Sequence, residues 1–210
     1  LLGVLNKQKG KIIVTSGPTY EEIDDVKVVT NKSSGKQGRA LAIELSARGY
    51  EIVYIHSSSI DHIPGLDNVS FHSSNDLKNK ILENINNTEA IFMTAAVSDF
   101  TVKKTSGKIN RSNGNITLEF IANEDIIATI KSSYPEIKCI AFSAQVDDEL
   151  NFNKINTKNV DYLIINNILK NKFGSDFNKV SIIDHQNLIF ESEELDKNEI
   201  SRDILNTLEY

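Results

Sequence analysis

Apolar and polar residues come in blocks along this chain, and the spacing within the blocks changes from one to the next. Lys11-Ile12-Ile13-Val14-Thr15 is a β-branched run closed by Gly17-Pro18, which predicts a buried strand. A polar loop follows to Gly38. Over residues 39–48, Leu41 and Leu45 lie four apart with Ala40, Ile43 and Ala47 beside them, which predicts one apolar face of a helix. Ser33 or Ser34 is placed to cap its start, and Gly49 to end it. A second apolar run at 51–55 completes a βαβ unit. That unit predicts a Rossmann-like, doubly wound α/β sheet with helices on both faces.

The rest of the chain continues the pattern. Residues 57–68 read as a loop and 69–72 as a short strand. Asn75 or Asp76 can cap a helix carrying Leu77, Ile81, Leu82 and Ile85. A central strand at 90–96 runs into Val97-Ser98-Asp99-Phe100, a C-terminal strand end of the kind where doubly wound sheets bind ligands. Residues 101–115 are polar, basic and rich in Gly and Ser. They read either as a solvated loop or as a flap over substrate, since a long unstructured loop inside a domain is uncommon. A strand is expected at 116–120, and a helix capped at Asn123-Glu124-Asp125 and running through Ile130. A core strand is expected at 139–142, and a helix at 147–158 with Lys154 and Lys158 on one face. A strand at 162–165, a turn at 173–178 and a C-terminal β-hairpin (180–183 with 188–190) follow. Asn198 is expected to cap a last helix carrying Ile200, Ile204, Leu205 and Leu208.

Composition narrows the function classes. With 210 residues the expectation is a lead-in or linker at 1–10 and one domain over 11–210. A net charge of −6 and the lack of a long basic run argue against a broad nucleic-acid surface. No apolar stretch approaches the roughly 18 residues of a membrane span, and the start does not read as a signal peptide, so a cytoplasmic protein is expected. The lone cysteine, Cys139, lies in an apolar run and reads as a buried small hydrophobe rather than a reactive thiol. The four histidines have no ligand spacing, so no zinc site is expected.

The candidate chemistry sits in the first loop. Ser33-Ser34-Gly35-Lys36-x-Gly38 at a helix start offers backbone N–H groups, hydroxyls and an ammonium, the parts of an anion site. Its glycines would let a phosphate come close to the backbone, although packing and capping would also explain them. Neither the P-loop spacing nor Gly-x-Gly-x-x-Gly is present. Together with Thr15-Ser16-Gly17-Pro18-Thr19 and Asn31, this stretch resembles phosphopantothenate–cysteine ligase. The resemblance continues through Ala95-Ala96-Val97-Ser98-Asp99-Phe100, Lys108-Ile109, Asn123-Glu124-Asp125-Ile126, Ala141-Phe142-Ser143-Ala144-Gln145, the Lys154/Lys158 pair, and Phe173-Gly174-Ser175-Asp176-x-Asn178. Four positions depart from the family pattern: Glu124 stands for proline, Ala141 for glycine, Gln145 for glutamate, and Lys27 for the usual arginine, which loses a bidentate fork.

The resemblance implies a ligase that joins 4′-phosphopantothenate to L-cysteine. CTP, or alternatively ATP, activates the carboxylate as an acyl-nucleotide, with Mg²⁺ on the triphosphate and no metal held by the protein alone. It implies that Asn31, Lys108 and Lys27 act in catalysis. Gly17, Ser33, Ser34, Gly35, Lys36, Gly38, Asp99, Glu124, Asp125, Ile126, Ile127, Phe142, Lys154 and Lys158 would bind nucleotide and phosphate. Ala95, Ala96 and Val97 would contact substrate and a second copy in a homodimer. Fusion to or association with a flavin-dependent decarboxylase is a further implication, with no flavin in this chain. The residues alone leave Asn31 open between an Asx turn and a hydrogen-bond donor to the acyl-phosphate. They leave Lys154 and Lys158 open to being a solvated face, and Asp99 to being a strand-end cap. The rival readings are an NAD(P)-dependent Rossmann reductase and a non-catalytic nucleotide-binding module.

Overall fold

The computed structural model describes residues 9–146, 150, 152–169 and 174–210. The elements in chain order are β1 (Lys11–Ser16), β2 (Tyr20–Glu22), β3 (Val28–Thr30), α1 (Lys36–Ala47), β4 (Glu51–Ser57), β5 (Asp67–Phe71), α2 (Ser74–Asn84) and β6 (Thr88–Met93). They continue with β7 (Phe100–Val102), β8 (Phe120–Ala122), α3 (Ile126–Ser133), β9 (Lys138–Gln145), α4 (Phe152–Lys158) and β10 (Tyr162–Asn167). The last are β11 (Phe177–Asn178), β12 (Ser181–Ile183), β13 (Leu188–Glu191), β14 (Leu195–Asp196) and α5 (Lys197–Thr207).

One sheet of order β13-β12-β10-β9-β6-β1-β4-β5 spans the molecule. The six strands from β10 to β5 are parallel, and β12 and β13 extend the sheet antiparallel, as the expected hairpin. Both faces of the parallel strands are covered, which is why they read as continuous apolar runs. Along β1, Ile12 and Val14 face α1 and α5, while Ile13 faces the layer of α2, α3 and α4. Leu41, Leu45, Ile200 and Ile204 are fully buried on the first side. Each such side chain contributes roughly 1.5–3 kcal/mol by leaving water. After α1 the chain pairs β4 with one edge of β1; after β5 it returns to pair β6 with the other edge. The crevice at the C-terminal ends of β1 and β6 is therefore the topological switch point, where this sheet class places ligands.

Several local expectations are corrected. Neither Ser33 nor Ser34 caps α1. Its cap is Gly35, at φ 68, with no side-chain bond. The Ser33 hydroxyl instead accepts from the Gly35 N–H at 3.4 Å. Ser73, not Asn75 or Asp76, caps α2, and the Asp76 carboxylate returns to accept from the His72 N–H at 2.9 Å. Asp196, not Asn198, caps α5. Residues 116–119 form no strand; only Phe120–Ala122 pairs, antiparallel with Phe100–Val102. The expected flap is thus a hairpin base with a long excursion that holds a 3-10 turn at Arg111–Asn113. The polar loop after β1 contains an unforeseen small hairpin, β2 with β3. Positions 147–149 and 151 of the expected helix, Phe173 of the expected turn and most of the 1–10 lead-in lie outside the described residues.

Candidate active site at the strand switch point

The crevice floor is built by cross-links between the β1 and β6 ends. Beyond β6, the Ala95 N–H donates to Thr15 Oγ1 at 3.1 Å and the Thr94 hydroxyl donates to the Thr15 carbonyl. The Ala96 N–H donates to the Gly17 carbonyl at 2.9 Å, and the Ala96 carbonyl accepts from Thr19 at 3.2 Å. Asn31 joins this floor. Its Nδ2 donates to the Ala96 carbonyl at 2.6 Å and its Oδ1 accepts from Ser33 N–H at 3.3 Å. The Asx-turn reading of Asn31 is therefore realised, and one amide N–H has no partner among the described residues.

A cavity of about 530 Å³ opens from this floor. Asn31, Ala95, Ala96, Val97 and Asp99 line one side, and Glu124, Asp125, Ile126, Ile127 and Phe142 with Lys154 and Lys158 line the other. Residues far apart in sequence are thus brought together around one cavity. Asn123 fixes the loop before α3: its N–H donates to the Asp99 carbonyl at 2.8 Å and its Nδ2 to the Ser98 carbonyl at 2.9 Å. Asp125 caps α3 and also pairs with Lys158 Nζ at 2.8 Å. Glu124, the departure from proline, is held by Lys78 at 2.5 Å and the Thr129 hydroxyl at 2.6 Å. The Lys78 bond, then that of Thr129, keeps the Glu124 carboxyl below its ordinary pKa. Lys154 is half-buried at the cavity wall and has no ion-pair partner among the described residues.

A second cavity of about 150 Å³ shares Phe142, Ala95, Ala96 and Ala144 with the first. Ser33, Ser34, Gly35, Lys36 and Gly38 line it. Gly38 is explained by packing: a Cβ there would lie 2.2 Å from Thr94 Oγ1 and 2.8 Å from the Thr15 carbonyl. A Cβ on Gly35 would meet Ile60 Cδ1 at 2.2 Å. Gly17 lines neither cavity and is similarly crowded, by Ser57 and Ile60. Lys36 reaches across to Asp176 Oδ1 at 2.6 Å.

Lys27 and Lys108 line neither cavity. Lys27 Nζ donates to Asp24 Oδ2 at 2.7 Å and to the Ile109 carbonyl at 3.0 Å, so it fastens the flap to the β2–β3 hairpin. Asp24, whose side chain is fully inaccessible, also accepts from the N–H groups of Val26, Lys27 and Ile109. The Lys27 ammonium first, then the Ile109 N–H, hold its carboxyl far below the usual range. Asp25 accepts from Gly107 N–H at 2.8 Å and pairs with Lys104 at 3.0 Å. Lys108 is exposed on this docked flap. Sequence reasoning gave no role to Asp24, nor to Asn178 of the quoted turn motif, and it missed Asn166 and Lys197 in the smaller cavity. The available signals were an acid three residues before Lys27 and a lysine placed at a helix start.

A family model described as DNA/pantothenate metabolism flavoprotein C-terminal domain matches residues 7–210. The chain belongs to this family. The Coenzyme A biosynthesis bifunctional protein CoaBC of Bacillus subtilis is 33% identical over 178 residues, 81% of this chain and 44% of that protein. A protein of an unknown prokaryotic organism named cysteine/cysteine sulfinic acid decarboxylase is 32% identical over 93% of this chain and 56% of its own length. The chain thus spans about half the length of the curated relatives it matches. The solved C-terminal domain of a CoaBC protein superposes with a TM-score of 0.76 at 27% identity, covering 96% of each chain. A Cab2 variant in complex with phosphopantothenate-cysteine, 16% identical, shares the fold with a TM-score of 0.74 over 95% of this chain and 87% of that one. No helix among the described residues is long and apolar enough to cross a membrane.

Proposed function

We propose that this chain is a phosphopantothenate–cysteine ligase domain of coenzyme A biosynthesis, using CTP and acting in the cytoplasm. The observation that carries this reading is the convergence of Asn31, Asp99, Asn123–Ile127, Phe142, Lys154 and Lys158 on one cavity at the switch point, in a chain of this family. The CoaBC relatives support the pathway, and the Cab2 complex supports the product class. In this reading the pantothenate carboxylate attacks the α-phosphorus, pyrophosphate leaves, and the cysteine amine then attacks the acyl carbon and releases CMP. The chain's task is mostly electrostatic. Lys154 and Lys158 offset triphosphate charge, the latter by exchanging Asp125 for phosphate. The Asn31 amide, held by the Ala96 carbonyl, donates to the acyl-phosphate oxygen. The backbone of 123–127 and the Phe142 ring take the base. In this reading Lys27 and Lys108, which line neither cavity of their own chain, serve the site of the second copy.

Among the described residues no three His, Cys, Asp or Glu side chains converge on a metal position. Glu124 and Asp125 are engaged by lysines, which leaves Asp99 as the cavity carboxylate without an ion-pair partner among the described residues. This donor set fits Mg²⁺ carried on the phosphate chain, where it would act as a Lewis acid. The reading includes a homodimer and no flavin within this chain. Exposed Val26, Val28, Phe100, Phe120 and Ile121 on the two small hairpins, which touch one another, support a second copy as the partner. The name of the decarboxylase relative supports a decarboxylase region beyond this chain.

The test is pyrophosphate release with Mg²⁺ and 4′-phosphopantothenate, with CTP or ATP, with and without cysteine. Multiple turnovers only with cysteine, and CTP ahead of ATP, are the expected result. An Asn31→Ala variant should then stall after the first step. Nucleotide binding without turnover would replace this reading with a non-catalytic binding module.

A further inference from the structure

The smaller cavity has a second wall from the C-terminal part of the chain, and its charges are arranged in a way that folding alone does not reward. Lys197 is the first residue of α5, and a cation there faces the positive end of the helix dipole. The side chain is half-buried. Burial pushes its ammonium pKa down, Lys36 adds to that, and Asp176 opposes it. Its Nζ donates to the Ser175 carbonyl, and among the described residues it has no carboxylate partner of its own. The adjacent Asp196 is occupied with the α5 N–H groups of Asn198 and Glu199, at 2.8 and 3.1 Å.

On the facing wall, Lys36 opens α1. That helix has no side-chain cap and no acid in its first turn. Lys36 Nζ is held by Asp176 Oδ1 at 2.6 Å and the Gly174 carbonyl at 2.8 Å. Two ammonium groups and an uncompensated helix start therefore share one carboxylate, on a side chain that is 77% exposed. The walls themselves are locked. Gln37 Nε2 donates to Ser201 Oγ at 2.9 Å and to the Lys197 carbonyl at 3.3 Å, and Gln37 Oε1 accepts from Asn178 Nδ2 at 3.2 Å. A desolvated positive charge fixed at a rigid opening is the arrangement of a prepared anion site.

We propose that Lys197 and Lys36 form a phosphoryl-binding site in the smaller cavity, and that Asp176 is an internal stand-in which the ligand displaces. A phosphate brings more negative charge and more acceptor oxygens than one carboxylate, so it can engage both ammonium groups at once. The inference deepens the ligase reading by adding Lys197 and Asp176 to its phosphate machinery. The phosphoryl group has two sources in that reaction, the nucleotide polyphosphate and the phosphate of phosphopantothenate.

The experiment is calorimetric titration of the whole chain, and of its Lys197→Met and Asp176→Asn variants, with inorganic pyrophosphate, CTP and 4′-phosphopantothenate. Lys197→Met should weaken the responding ligand about tenfold or more, the scale of one charge-assisted hydrogen bond. Asp176→Asn, at an exposed position that puts the fold at little risk, should tighten the same ligand, a sign that structural damage would not give. Pyrophosphate and CTP responding together identify the polyphosphate; phosphopantothenate responding alone identifies its phosphate. Unchanged affinity for all three in Lys197→Met, or weaker binding in Asp176→Asn, overturns the proposal. Turnover assayed in parallel separates it from the ligase reading. Wild-type pyrophosphate binding without turnover would sink the ligase and leave the site standing. Turnover with variant affinities unchanged would do the reverse.

Discussion

Gly38 lies at the switch point and Gly107 in the flap, and a methyl group added at each would meet opposite surroundings. At Gly38 it would run into Thr94 and the Thr15 backbone; at Gly107, whose φ is +76°, it would find nothing within 4 Å. The same residue type is required by close packing in one place and by backbone conformation in the other. The switch-point side is a welded joint in which α1, β1 and the end of β6 leave no spare volume. The flap side is a strip of backbone held to the β2–β3 hairpin by polar bonds from Asp24, Asp25 and Lys104. The first kind of order comes from burial and is lost only with the fold. The second comes from a few charged contacts and can be released separately.

The strongest challenge to this contrast is Gly38→Ala. Neither neighbour at the joint is the far end of a flexible chain, so the variant should lose about 1–3 kcal/mol of global stability, the usual cost of overpacking. Urea denaturation measures it, and an unchanged midpoint would mean that the joint has slack. Next in size, Asp24→Asn should free the flap and spare the fold. Hydrogen exchange over residues 104–109 should speed up by about tenfold or more, while protection of the β1 and β6 amides stays as it was. Loss of protection throughout would show that flap and core are one cooperative unit.

A pH series sharpens the same point. The folded Asp24 carboxyl is depressed, chiefly by the Lys27 ammonium, so its contribution is complete above the unfolded carboxyl value of about 3.9. It is lost only as pH falls through the lower folded value. Flap exchange, corrected for its intrinsic pH dependence, should therefore be flat from neutrality to about pH 5 and should rise only in stronger acid. The smallest effect belongs to Gly107→Ala. The left-handed backbone costs about 1–2 kcal/mol there, confined to the flap, with no shift in global melting.

What the chain revealed in advance divides along the same line. The parallel strands were legible because burial on both faces writes itself as runs such as Ile12-Ile13-Val14. The residues around the large cavity were legible because they sit at the ends of those strands. Cap identities were less so: Ser73, Asn75 and Asp76 all suit a helix start, and only the bonds themselves, Asp76 N–H to the Ser73 hydroxyl and His72 N–H to the Asp76 carboxylate, decide between them. The alternation at 116–120 looked like a strand, but no sheet lies beside residues 116–119 for it to join. Least legible was which cations are already paired. Lys27, Lys36 and Lys158 look like free ammonium groups in the sequence, yet each has found an aspartate, in two cases far along the chain. Lys197 was passed over because its one mark in the sequence, a lysine at a helix start, does not say which cavity it faces.

Cys139 offers a last consequence. It is the chain's one cysteine, it is fully buried in β9, and burial pushes its thiol up to about 12. At neutral pH it therefore supplies almost no thiolate for thiol–disulfide exchange. An enzyme that handles free cysteine would thereby escape capture by its own substrate's oxidised form. The native protein should also take up no thiol reagent until the sheet opens, so the rate of labelling becomes a clock for global unfolding.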